Sequence, residues 1–120
     1  MATFVVNEGT TRRITGQLKD DEGNLIGSGN VSAFTMTQKG LDGTVINSRD
    51  SQNVLNTNNV TLDANGNWVF QVQPEDAIRL EHKPGIEIHK VTVEWEWSTS
   101  PVRKGNQVFY IGVRDLEEVT

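Results

Sequence analysis

Between residues 60 and 97 the chain reads strand, tight turn, strand, corner and long strand, and that order leaves few folds open. Val60 and Leu62 point one way, and Asp63-Ala64-Asn65-Gly66-Asn67 follows. Asn-Gly is the strongest short-range hairpin signal, because a two-residue hairpin turn needs positive φ at its centre. Trp68, Phe70 and Val72 form the apolar face of the returning strand. Pro74 suits the first position of a helical turn, and Glu75 and Asp76 suit its positive end. Ala77, Ile78 and Leu80 give that turn an apolar side, and Lys83-Pro84-Gly85 ends it. One short corner helix is expected there. Ile86 and Ile88 then share one parity, and Val91, Val93, Trp95 and Trp97 the other, which predicts a bulge near His89 and Lys90. The candidate core is Trp68, Phe70, Leu80, Val93 and Trp95.

The flanking sequence repeats the same grammar. Phe4 and Val6 lie on one face of a short first strand, with Val5 on the other, before Asn7-Glu8-Gly9 breaks it. In residues 10–19, Ile14, Gly16 and Leu18 alternate with Arg13, Thr15 and Gln17, the signature of a half-buried strand. Asp20, Asp21 and Glu22 form a solvated strand end, and Gly23 supplies the turn. A third strand covers 31–39 with Phe34 and Met36 inward. A loop at 40–43 leads to a short strand over 44–48. Residues 49–59 are polar and rich in Asn, anchored only by Val54 and Leu55, and read as a mobile surface loop. Residues 99–106 read as a loop, and 108–113 as the last strand, with Phe109, Ile111 and Val113 on one face. About eight strands with turns between them predict an antiparallel sandwich or barrel. At 120 residues the chain has the length of a single domain.

Composition narrows the chemistry. There are no cysteines, so disulfides, thiolate catalysis and Cys-ligated zinc are excluded. A formal charge of −5 argues against general nucleic-acid binding. No apolar run is long enough to make a membrane-spanning helix. The first residues lack the basic and apolar regions of a secretory signal, so synthesis in the cytoplasm is expected. The run beginning at Asp63 resembles the start of a calcium loop. Such a loop needs Gly at its sixth position and Glu at its twelfth, where this chain has Trp68 and Pro74, so a hairpin turn explains it better. His82 and His89 have no carboxylate at ligand spacing and read as surface or packing residues. No nucleophile elbow or phosphate loop is present. No catalytic, cofactor-binding or metal residue is assigned, and no cofactor is expected.

What remains is contact chemistry. Arg12, Arg13, Arg103 and Lys104 are basic spots on an acidic chain. Phe4 and Val5 near one end, and Leu116 and Val119 near the other, make both termini apolar enough to dock. These eight residues are the candidate interface. Trp95 and Trp97 alternate with Glu94 and Glu96, which fits packing on one strand face. A Trp at the rim is also a common hot spot of binding.

Three motifs together resemble small Ig-like structural proteins of tailed bacteriophages. The first is the entry Glu8-Gly9-Thr10, then Ile14 to Asp20 and Asp21-Glu22-Gly23-Asn24-Leu25-Ile26. The second is Leu62-Asp63-Ala64-Asn65-Gly66-Asn67-Trp68-Val69-Phe70 followed by Pro74-Glu75-Asp76-Ala77 and Leu80. The third is Val91-Thr92-Val93-Glu94-Trp95, a loop, and a strand closing on Gly112-Val113-Arg114-Asp115. The patterns are loose and span nearly the whole chain. The Tyr that many Ig-like domains place at the corner before the last strands is absent here, where Gly85-Ile86-Glu87-Ile88 stands. The resemblance implies an all-β, Ig-like antiparallel β-sandwich of about seven or eight strands over residues 1–120, with short extended termini. It also implies a virion location and a non-enzymatic role of the decoration, neck or tail-accessory type. The partners it implies are other virion proteins and copies of itself. The alternative on the residues alone is a carbohydrate- or ligand-binding β-sandwich module, with Trp68, Trp95 or Trp97 as a stacking platform.

Overall fold

A computed structural model describes residues 3–81, 85–99 and 101–115. Eight strands follow one another among them: β1 (Thr3–Asn7), β2 (Arg12–Gln17), β3 (Val31–Gly40), β4 (Gln52–Asn53), β5 (Val60–Leu62), β6 (Asn67–Val72), β7 (Ile86–Thr99) and β8 (Val102–Arg114). They form two sheets, ordered β1-β8-β7-β3-β4 and β2-β6-β5. The fold is an all-β, Ig-like sandwich. Period-two alternation places Phe34, Met36, Val91, Val93, Phe109 and Ile111 of the larger sheet against Ile14, Val60, Leu62, Trp68 and Phe70 of the smaller, with Leu18 just past β2 in the same core. Trp68 joins the layers, stacking on Phe109 with ring centroids 5.9 Å apart.

Pairing is antiparallel except at one edge, where β1 runs parallel to β8. The reason is a change of sheet. Gly9, at φ +69°, breaks the first strand, and its N–H donates to the Ala77 carbonyl at 2.9 Å. The chain then re-enters as β2 in the other layer. The hairpin at Asp63 forms as expected, with the Asp63 carboxylate accepting the Asn65 and Asn67 N–H groups at 2.9 Å each and Gly66 at φ +87°. Asp20 does the same for Glu22 and Asn24. The overall shape is long, 51 × 24 × 23 Å, because β7 and β8 form one hairpin running most of its length.

Several expectations are corrected. The corner is a single three-residue 3-10 turn, Pro74–Asp76, and not a longer helix. Leu80 is not core: it is 36% exposed, beside Gly40 at the rim. Residues 44–48 form no strand, only a lone bridge between Lys39 and Val45, with Asn47 and Ser48 at positive φ. There is no bulge at His89. The β7–β8 register is unbroken from Ile86 to Trp97, and the irregularity lies between Trp97 and Thr99. The parity puzzle resolves because His89 is itself fully buried, on the face of Val91, Val93 and Trp95. The stretch read as a loop at 99–106 is mostly strand, since β8 begins at Val102. Trp68, Phe70, Val93 and Trp95 are buried as expected.

Candidate interaction surface

Two regions carry polar groups in number, and they differ in kind. The first is a buried corner. Asp76 is fully buried and Arg49 is 1% exposed. Arg49 Nε and Nη2 meet the Asp76 carboxylate at 2.6 and 3.0 Å, a bidentate pair. Arg49 Nη1 donates to Gln52 Oε1 and the Asn58 carbonyl, and Nη2 also donates to Asn59 Oδ1. All five guanidinium donors are used. The Asp76 oxygens also accept from Asn47 Nδ2 and the Gln73 N–H. Phe70 lies under the guanidinium, 4.9 Å from its ring centroid. The segment 49–59 is therefore tied into the sandwich, not a loose loop. It supplies β4, the fully buried Val54, Arg49 itself and three of the ligands of its guanidinium. Its Asn richness has a local cause: Asn56, Asn58 and Asn59 all take positive φ, which Asn tolerates better than most residues.

A second buried chain adjoins it. Gln38 Nε2 donates to the Asp76 carbonyl at 2.9 Å, and lies 3.5 Å from His89 Nδ1. His89 Nε2 is 2.6 Å from Glu87. Glu87 also accepts the N–H groups of Leu80 and Glu81. Burial pushes the Glu87 carboxyl up, but those backbone donors and the His89 ring outweigh it and hold it below the ordinary glutamate value. With the Asp76 and Glu87 carboxylates occupied in this way, the cluster reads as a brace between sheets, although Gln38 Oε1 is buried there without a hydrogen-bond partner. Among the described residues no group of three His, Cys, Asp or Glu side chains is placed to hold a metal ion. His82 lies outside the described residues.

The second region is the outer edge of the β7–β8 hairpin. Gly105 stands opposite Trp95, and its missing side chain makes room for the indole: a Cβ there would lie 2.6 Å from the ring. Trp95 Nε1 donates to the Lys19 carbonyl at 3.2 Å. Gly16 and Trp68 repeat the device in the smaller sheet, with a Cβ 2.4 Å from the ring. Trp68 and Trp95 are 1% and 6% exposed, and both line one groove; Trp97 is half-buried against the core. That groove, shallow and of about 910 Å³, is also lined by Gly16 and has Arg13, Thr15, Gln17, Asn106 and Gln107 on its walls.

The predicted interface residues divide. Arg103 and Lys104 are exposed on β8, with long partners in Asp21 and Glu96, both at 3.3 Å. Arg13 lines the groove. Arg12 is occupied within the fold, donating to the Val5 carbonyl at 2.6 Å and lying over the Phe4 ring. Phe4 packs edge-on against Phe109 at 5.8 Å, at the margin of the core, and Val5 is half-buried. Leu116 and Val119 lie outside the described residues. Sequence reasoning missed Arg49, Asp76, Gln38 and His89 as a unit. The one available signal was an Arg at the head of an apolar-poor segment, and it has no fixed spacing from Asp76.

No family model matches this sequence, and no curated protein does. Two solved structures are similar in shape. The periplasmic chaperone SfaE shares 9% identity over 96% of this chain, with a TM-score of 0.55. The Ig1 domain of mouse SynCAM 2 shares 15% identity over 97% of this chain and 95% of its own, with a TM-score of 0.41. This chain spans 54% of the chaperone's length. At such identities the likeness speaks for the fold alone.

Proposed function

We propose that this chain is a non-enzymatic structural protein of a tailed-bacteriophage virion. In this reading it is made in the host cytoplasm and attaches in several copies to the capsid or to the neck or tail assembly. The motifs quoted above support that reading. The observation that carries it is the contrast between a saturated, buried Arg49–Asp76 pair and a long hairpin whose outer edge is only partly paired among the described residues. A rigid frame that presents main-chain donors and acceptors is suited to contact between proteins, and many copies on one particle make a modest single contact effective. Neither cofactor nor nucleic acid has a part in it. The test is co-sedimentation of the purified chain with phage particles assembled without it. Saturable binding at a fixed copy number is expected. Absence of binding to capsids, necks and tails alike would overturn the proposal.

A ligand-binding module is the second reading, favoured by the groove with its amide and hydroxyl walls. Titration with a glycan panel, followed by Trp fluorescence, separates the two. A saturable shift is the result that favours the groove.

A further inference from the structure

The outer edge of β8 is only half used. β1 pairs with it from Tyr110 to Arg114, and among the described residues no strand lies beside 102–108 on that side. Which backbone groups are open follows from the alternation of a strand. The Arg114 carbonyl accepts the Glu8 N–H, so even-numbered residues of β8 face the β1 side. The Asp115 N–H donates to the Gly85 carbonyl, so odd-numbered residues face β7. Lys104, Asn106 and Val108 therefore direct their N–H and C=O groups outward, whereas Val102 lies past the register shift and pairs with Thr99 at the hairpin end. An exposed edge of this length templates pairing unless something blocks it.

We propose that this edge is the contact between two copies of the chain, paired antiparallel about a two-fold axis at Gly105. Residues 102–108 read Val-Arg-Lys-Gly-Asn-Gln-Val, a near-mirror about its centre. In that register Val102 faces Val108 of the second copy, Arg103 faces Gln107 and Lys104 faces Asn106. Apolar meets apolar at both ends, and each cation meets an amide, so no like charges stand directly opposite. Lys104 and Asn106 fall in the positions that exchange both hydrogen bonds, which is the requirement of antiparallel pairing, and Val102 and Val108 flank them. Gly105 meets Gly105 at the axis, where side chains would crowd. The cations bring little uncompensated charge, since Arg103 and Lys104 are countered by Asp21 and Glu96. On the described edge β1 occupies the positions from Tyr110 onward, which stops the added strand from sliding. An isologous contact of this kind closes at two copies. The choice of a second copy as occupant rests on the multi-copy reading above; the open groups and their register do not. Seven paired residues make a small interface, in the size class of transient complexes.

Sedimentation velocity of the full chain over a wide concentration range tests this. A reversible monomer–dimer equilibrium is expected. Asn106→Pro removes an outward N–H and leaves the β7 ladder intact, and proline is tolerated on strand edges. It should weaken the dimer at least tenfold, while Asn106→Ala should not. Should Asn106→Pro fail to fold, amide exchange of the unaltered chain decides. The amides of Lys104 and Asn106 should slow as concentration rises, while an already paired amide such as Val93 stays constant. A chain that remains monomeric throughout, or a dimer unaffected by Asn106→Pro, would overturn the inference. The two proposals fail separately. Particle binding that survives in a non-dimerising chain leaves the virion role standing, and a dimer that binds no particle leaves only the edge contact.

Discussion

The Arg49–Asp76 corner and the 102–108 edge of β8 are made of the same kinds of group and stand in opposite states. In the corner, donors and acceptors are matched within the chain and shielded from water. On the edge, the outward backbone groups find no strand partner among the described residues, and the side chains are exposed except for the half-buried Val108. The difference is one of consequence. A buried polar group left unpaired costs its full desolvation, so a filled corner fixes one arrangement of its loops and sheets. An edge group left unpaired is solvated and costs little, so it is free to pair with another chain. Stability is concentrated at the corner, and the proposed contact lies at the edge.

The sharpest way to break this comparison is at the corner. Asp76→Ala leaves the buried Arg49 charge without its carboxylate and should cost about 3–5 kcal/mol. Urea unfolding measures it. The double change Arg49→Met with Asp76→Leu should cost less than Asp76→Ala alone, because no buried charge is stranded. A loss no larger than that of an average surface change would mean that the corner is not a brace.

Next come the two Trp–Gly pairs. Gly16→Ala drives a methyl into Trp68, which is packed on all sides, and should cost about 1–3 kcal/mol through overpacking. Gly105→Ala meets Trp95 nearer the rim, where the ring has more room to yield, and should cost less. Equal losses would show that the hairpin is held as tightly as the sandwich.

Acid gives a smaller effect. The Glu87 carboxyl is held below its ordinary value in the folded chain. It therefore contributes stability that is fully present above the unfolded glutamate value and is lost as pH falls through the folded one. Asp20, Asp42 and Asp63 are lowered as well, by backbone N–H groups from Asn24, Thr44 and Asn67 respectively. Thermal melts from neutral pH down to about pH 3 should show stability declining below the ordinary carboxylate range of about 4. Glu87→Gln should make that decline shallower without abolishing it.

The smallest effect belongs to the edge. Lys104→Ala removes an exposed pair with Glu96 and should change stability by less than about 1 kcal/mol. A larger loss would place part of the fold's stability on the hairpin and blur the contrast.

Much of the fold was legible because its signals are local. Asp63 and Gly66 specify their turn, the first by a carboxylate two residues from its donor and the second by its positive φ. The faces of β2, β3 and β6 follow from alternation, so Ile14, Phe34, Trp68 and Phe70 were identifiable as core. Leu80 was misplaced because an apolar residue beside a corner points wherever the corner turns, and a three-residue turn leaves it at the rim. His89 was misplaced because a polar residue on a buried face looks like a break in the pattern.

By itself the sequence determined the turns, the strand faces and the absence of thiol chemistry, all properties of residues and near neighbours. Only the tertiary structure decided that Arg49 meets Asp76 across 27 positions, that β1 joins β8 in parallel, and that part of β8 stays open. Those depend on which strands become neighbours. The energy of a salt bridge or a sheet edge is set by distance and burial in space, and sequence separation carries neither.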